Sequence, residues 1–158
     1  MRISSLMLIV FITACSPQET KSILTEEQKN IDIEVAKQLV QGIFDDVWGG
    51  LDSTKILDYH TSEFVILEQG QIWKNKEIRD YIRRSLKNED IPKRINKMDY
   101  ISTKHMGEAI YLDYHNYATF ERADSVVGKA QWLESAIAIK TGDGWRLDKM
   151  HSTYVKTK

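Results

Sequence analysis

The chain has 158 residues, 42% hydrophobic and 28% charged, with 22 Lys plus Arg against 23 Asp plus Glu. A formal net charge of −1 leaves no basic excess to displace counterions, which argues against nucleic acid as a partner. Two prolines and eight glycines exclude a low-complexity or collagen-like chain, and the lone cysteine, Cys15, excludes an internal disulfide.

The first residues read as an address rather than as structure. Arg2 supplies a positive charge, and Ile3 to Phe11 form an apolar run too short to span a bilayer as a helix. Ile12-Thr13-Ala14-Cys15 then resembles a lipobox, in which the thiol is diacylated and the chain cut just before it. The expected organisation is a leader over 1–14, lipidation at Cys15, a polar tether over 15–24 and one domain over 25–158. Several acyl chains at about 0.8 kcal/mol per buried methylene make such an anchor effectively permanent. The expected location is therefore the bacterial cell envelope, exported and membrane-anchored, facing the periplasm or the cell surface.

Thr25-Glu-Glu-Gln28 has the form of a capping box. Behind it, Ile31, Val35, Ala36, Leu39, Val40, Ile43, Phe44, Val47 and Trp48 recur in steps of three and four, which predicts one amphipathic helix ending at Gly49-Gly50. Asp52 or Ser53 caps a short second helix carrying Ile56 and Leu57. Phe64 to Leu67 reads as a strand that turns at Gln69-Gly70-Gln71 into Ile72-Trp73. Asn75 is placed to cap a third helix with Ile78, Ile82 and Leu86 on one face and Arg79, Arg83, Arg84 and Lys87 on the other. From Lys97 the pattern changes to long strands, Met98–His105, Ala109–Glu121, Lys129–Lys140 and Trp145–Val155. Short turns separate them, as in an antiparallel meander. A sheet of this kind buries one face, and the three helices are its available cover.

This order of elements, from Ile31 to Val155, resembles the NTF2-like superfamily of the SnoaL-like and DUF4440 type. The most specific piece is Ser135-Ala-Ile-Ala-Ile-Lys-Thr-Gly-Asp-Gly-Trp-Arg-Leu-Asp-Lys-Met-His-Ser-Thr153, a strand, a Gly-Trp turn and a final strand. Asp52 after the first helix and Asn75-Lys-Glu-Ile78 add two further matches. The resemblance implies an α+β cone: a curved antiparallel sheet wrapped around a pocket and covered by three helices. Its members include isomerases, dehydratases, cyclases, hydrolases and non-enzymatic binding or assembly domains, so the fold leaves the activity open.

Strand alternation sorts the polar residues onto two faces. Ile110, Leu112, Tyr114 and Asn116 fall on the more apolar side of one strand, and Leu133, Ser135, Ile137 and Ile139 on that of the next. The family pattern adds Asp148, Met150 and Ser152. The expected pocket thus holds Tyr114, Asn116, Ser135, Asp148, Met150 and Ser152, with Trp48 as an apolar wall and His60 and Glu68 at its mouth. A desolvated carboxylate beside a tyrosine and an asparagine is equipment for acid–base work, with Asp148 or Glu68 as base and Tyr114 or His60 as donor. The same groups equally form a structural network tying sheet to helices.

His115, Trp132, Glu134 and His151 fall on the opposite face, expected to be convex and to pack against a second copy with Trp132 as anchor. An inverted assignment would make this cluster the pocket. Two histidines and a carboxylate are a zinc-ligating set, but no short metal-binding spacing is present, so neither metal nor cofactor is expected. Three functions remain open: an anchored domain binding a small, partly apolar molecule; an isomerase, dehydratase or hydrolase using a pocket carboxylate; and a dimeric assembly module.

Overall fold

The computed structural model describes residues 24–156, so the leader, Cys15 and all of the tether but Leu24 lie outside the described residues. Among the described residues no helix is long and apolar enough to cross a membrane.

Helix α1 (Glu26–Gly42) begins where Thr25 Oγ1 accepts the Gln28 backbone N–H at 3.1 Å. The Gln28 side chain does not reach back as a capping box requires; it donates to Asp32 Oδ1 at 3.0 Å. Asp32 also accepts from His105 Nε2 at 3.1 Å, in a pair whose side chains are 7% and 3% exposed. The Gly107 N–H donates to His105 Nδ1, which fixes the proton on Nε2. This contact fastens the start of the helix to the far end of the sheet.

The helix runs on as a π-helical turn, Ile43–Gly49, which buries Ile43, Phe44 and Val47. Such turns are rare and concentrate at functional sites. Gly49 permits its close approach to the sheet, since a Cβ there would lie 2.8 Å from the Arg94 carbonyl oxygen. Asp52 caps a 3₁₀ turn over Ser53–Lys55 by accepting the Thr54 N–H at 2.9 Å, and α2 (Ile56–Tyr59) follows.

Six strands form one sheet: β1 (His60–Glu68), β2 (Gln71–Lys74), β3 (Lys93–His105), β4 (Ala109–Arg122), β5 (Ser125–Thr141) and β6 (Gly144–Tyr154), with α3 (Asn75–Ser85) between β2 and β3. Their order is β2-β1-β6-β5-β4-β3. Every neighbouring pair is antiparallel except β1 and β6, which run parallel. The sheet is therefore mixed rather than wholly antiparallel. Hairpins dictate the direction of the last four strands, whereas β1 and β6 are joined by the whole intervening chain and no turn constrains them. The β4–β5 hairpin turns on Ala123 and Asp124, both at positive φ (47° and 61°), as two-residue hairpin loops require.

Asn75 does not cap α3 but is its first residue. Its Nδ2 donates to the Thr61 carbonyl at 2.8 Å, and its Oδ1 meets His60 Nδ1 at 2.9 Å, so it ties α3 to β1. Leu86, expected on the buried face, lies beyond the helix and is exposed.

The core joins Ala36, Val40 and Ile43 to Ile110, Leu112, Ala136, Leu147 and Met150 on the concave face. Strand β4 alternates as expected, with Ile110, Leu112, Tyr114, Asn116 and Ala118 inward. Strand β5 is inverted relative to its hydropathy: Glu134, Ala136 and Ala138 are buried, while Leu133 is exposed and Ser135 turns to the convex side. Small side chains under the helices leave room for α1, so the larger apolar residues of β5 occupy the other face. Strand β6 carries a bulge at Asp148 between Leu147 and Lys149. It switches the inward set from Trp145 and Leu147 to Met150 and Ser152.

Candidate functional site

The concave face, the π turn and α3 enclose a chamber of about 210 Å³. Glu68, Arg94, Glu134 and Ser152 supply its polar groups; Phe44, Trp48, Trp73, Tyr81 and Trp132 supply an aromatic wall. A second chamber of about 400 Å³ adjoins it and shares Trp48, Tyr81, Arg94 and Trp132, so these four border both.

Strand register builds the floor. Glu68 pairs with Ser152, Ser152 with Glu134, Glu134 with Tyr114 and Tyr114 with Tyr100, which makes one row across five strands. A hydrogen-bonded chain crosses this row. Arg94 Nε donates to Asn96 Oδ1 at 2.8 Å, Asn96 Nδ2 to Asn116 Oδ1 at 2.6 Å, and Asn116 Nδ2 to Glu134 Oε2 at 3.1 Å. Ser152 Oγ donates to Glu134 Oε1 at 2.8 Å. Both oxygens of this buried carboxylate are thus satisfied.

Burial pushes the Glu134 carboxyl up to about 7, against the opposing pull of Ser152, Asn116, Tyr114 and Arg94. Burial also raises Glu68, opposed by Ser152, Arg94 and His151. Ser152 has one proton to give, and it goes to Glu134. Burial holds the Tyr114 phenol far above its usual range, and the charge of Glu134 adds to this. Although Tyr114 neighbours Glu134 across the strands, its hydroxyl makes no hydrogen bond of ordinary geometry among the described residues.

The Arg94 guanidinium stands 5.0 Å from the Trp132 ring centre and 5.5 Å from that of Phe44. Burial weakens its basicity, and Glu134, Tyr81 and Glu68 counteract this, leaving it a cation. Trp48, Trp73 and Tyr81 pack on one another with ring centres 5.6 to 6.3 Å apart. Together these features make a pocket with an apolar wall, a fixed cation and two carboxyls whose protons are held unusually tightly.

Of the expected site residues, Trp48, Glu68 and Ser152 line the chamber. Tyr114, Asn116 and Met150 are buried on the same face, the first two directly beside Glu134. His60 is not at the mouth: its ring stacks on Phe64 at 3.5 Å, and burial lowers its pKa to about 4. Asp148 sits at the bulge and accepts the Thr61 hydroxyl at 2.8 Å, away from the chamber lining. Ser135 lies on the convex side because β5 is inverted.

The second cluster is split by the same inversion. Trp132 and Glu134 line the chamber, so Trp132 cannot anchor a convex interface. His115 contacts Gln131 at 3.2 Å, and His151 is exposed on the convex face. The three potential zinc ligands therefore do not converge.

Sequence reasoning passed over Arg94, Asn96, Trp73 and Tyr81 as site residues. The first two lie in a strand that starts five residues before the first apolar inward position, Met98, so hydropathy gave no sign of it. Tyr81 carried a usable signal, since it stands three residues after the buried Ile78 on α3.

Among solved structures the chain is similar to an NTF2-like superfamily protein from Salmonella enterica, with TM-score 0.62 and 17% identity over 82% of this chain and 94% of that one. It is also similar to the CaMKII hub homology domain of Chlamydomonas reinhardtii, with TM-score 0.66 and 15% identity over 80% and 98%. An NTF2-like protein from Cytophaga hutchinsonii matches with TM-score 0.59 and 8% identity over 81% and 98%. No family model and no curated protein matches the sequence. The fold is NTF2-like; identities this low speak to fold alone.

Proposed function

We propose that this chain is a lipid-anchored NTF2-like domain of the bacterial cell envelope that binds a small, partly apolar molecule in its cone. The observation carrying this reading is the chamber of about 210 Å³ that sets an aromatic wall against a small set of polar groups, Glu68, Arg94, Glu134 and Ser152. Cys15 within Ile12-Thr13-Ala14-Cys15 supports the anchor. A thermal-shift screen of small amphipathic compounds tests the binding: a ligand at 100 times its Kd raises stability by about 2.7 kcal/mol. A screen in which no compound moves the melting temperature counts against it. Cys15→Ser should abolish partition into detergent, and its persistence would rule the anchor out.

A second reading is acid–base catalysis with Glu134, supported by a carboxyl near pH 7 that can hold or release a proton under ordinary conditions. Turnover of any identified ligand, lost in Glu134→Gln while binding survives, separates catalysis from binding. Self-association through the convex face draws support from the exposed Ile101 and Leu133, and a chain that stays monomeric at high concentration would dismiss it.

A further inference from the structure

We infer that the molecule bound in this chamber carries a carboxylate gripped by Arg94, with a flat apolar body lying against Trp48, Trp73 and Tyr81. The inference rests on the reading of the cone as a binding pocket and names what that pocket selects.

A guanidinium has five N–H donors in a planar fork. In Arg94 the Nε donor is spent on Asn96, and the two terminal nitrogens make no hydrogen bond among the described residues. No carboxylate stands within ion-pair distance of it there either. The guanidinium lies over the Trp132 and Phe44 rings and spends Nε on Asn96, so what remains for a ligand is the edge carrying its terminal donors. That edge belongs to a residue that lines both chambers. Paired N–H groups on one edge match the two oxygens of a carboxylate. A point cation would not serve this way, because its bonds are not arranged in a plane.

Occupancy by a cation is the competing chemistry, since aromatic rings beside carboxyls also attract amines. Three observations stand against it. The ring faces of Trp132 and Phe44 already carry the chain's own cation. Trp48, Trp73 and Tyr81 are tilted at 45° to 54° against one another and in mutual contact, so they form a wall and not an open box. Both oxygens of Glu134 already accept hydrogen bonds, which leaves it little to offer an ammonium.

The test uses the full chain in detergent and calorimetry with three matched probes: phenylacetate, phenylacetamide and phenethylamine. Naphthyl and cyclohexyl counterparts of each repeat the comparison on larger and non-aromatic bodies. The expected result is a carboxylate bound roughly tenfold or more above its amide, with the amine weakest, as a charge-assisted paired bond implies. Arg94→Gln should erase that preference, and Arg94→Lys should restore part of it, since lysine keeps charge without the fork. An amide equal to its carboxylate overturns the inference and leaves the binding reading standing. So does an amine that binds tightest, or a folded Arg94→Gln that retains the preference. Should no probe of any charge bind, the binding reading itself falls and this inference with it. If Arg94→Gln fails to fold, the comparison of probes on the wild-type chain still decides.

Discussion

Ser152 gives its only hydroxyl proton to Glu134 Oε1 at 2.8 Å while standing in register with Glu68 on its other side. One serine thus sits between two carboxyls in an environment that raises both. Ser152→Ala should remove the bond and leave Oε1 buried and unpaired. Hydrogen bonds to charged groups are worth about 1.5–3 kcal/mol and neutral ones about 1 kcal/mol. Denaturant unfolding should therefore show a larger loss at pH 8, where Glu134 is ionised, than at pH 5, where it is protonated. Equal losses at both pH values would mean that Glu134 does not titrate between them.

Glu134 and His60 act on stability in opposite directions over the same pH range. Glu134 is raised from 4.5 to about 7, so between these values the folded state holds a proton that the unfolded state has lost. Its contribution is present below pH 4.5 and is lost as the pH rises through 7. His60 is lowered from 6.5 to about 4, so the unfolded state there holds the extra proton. Its contribution is present above pH 6.5 and is lost as the pH falls through 4. Each shift corresponds to about 3 kcal/mol, so the two slopes offset one another between roughly pH 4.5 and 6.5. Glu134→Gln should expose a steep loss of stability on acidification, and His60→Phe a gain. The measurement is urea unfolding from pH 4 to 8; a wild-type curve as steep as either variant's in that window would contradict the pairing.

The reason His60 resists protonation is also structural. Asn75 Nδ2 is committed to the Thr61 carbonyl, so Asn75 Oδ1 accepts and His60 Nδ1 carries the proton. Nε2 is buried with no hydrogen-bond partner among the described residues, and a proton added there would find no acceptor.

The residues that the sequence placed well and those it misplaced differ in what decides their side. In β4 the inward set, Ile110, Leu112 and Tyr114, is also the apolar set, and alternation reads it directly. In β5 the inward set is Trp132, Glu134, Ala136 and Ala138, less hydrophobic than Leu133, Ile137 and Ile139 beside it. There the pocket needs a carboxyl and the helices need small neighbours, and neither demand leaves a hydropathy signal. The bulge at Asp148 is invisible for a related reason, since an extra residue changes the face of everything around it without changing composition. Glu68 was legible because it ends the first strand, and Ser152 because the family pattern placed it on the inward face of the last one.

Asp32 and His105 hold the opposite end of the domain. Burial alone would raise the Asp32 carboxyl, but hydrogen bonds from His105, Gln28 and Trp145 overcome it and lower the pKa. A lowered carboxylate contributes stability above its ordinary value of 3.8 that disappears as the pH falls through the folded value. Asp32→Ala should cost about 3 kcal/mol at neutral pH, because it strips a charged acceptor from several buried donors at once. Amide exchange should accelerate first in α1, the element this contact fastens to β3. A variant that loses stability without loosening α1 would assign the loss elsewhere.

Gly49 connects the π turn to the pocket. Gly49→Ala places a methyl 2.8 Å from the Arg94 carbonyl oxygen and 3.0 Å from that of Phe44, so the turn must lift from β3. Overpacking of this kind costs about 1–3 kcal/mol. The displacement acts on Trp48 and Arg94 together, one on each side of the contact, and both line the two chambers. The variant should therefore show a red-shifted tryptophan emission and weaker probe binding, alongside a lower melting temperature. Gly70→Ala supplies the comparison: a Cβ there meets nothing within 4 Å, but φ is +80°, so the strain is confined to the β1–β2 turn. It should lower the melting temperature and leave emission and binding unchanged. If both glycine variants altered binding alike, general loosening would explain the effect and the π turn would have no special hold on Arg94.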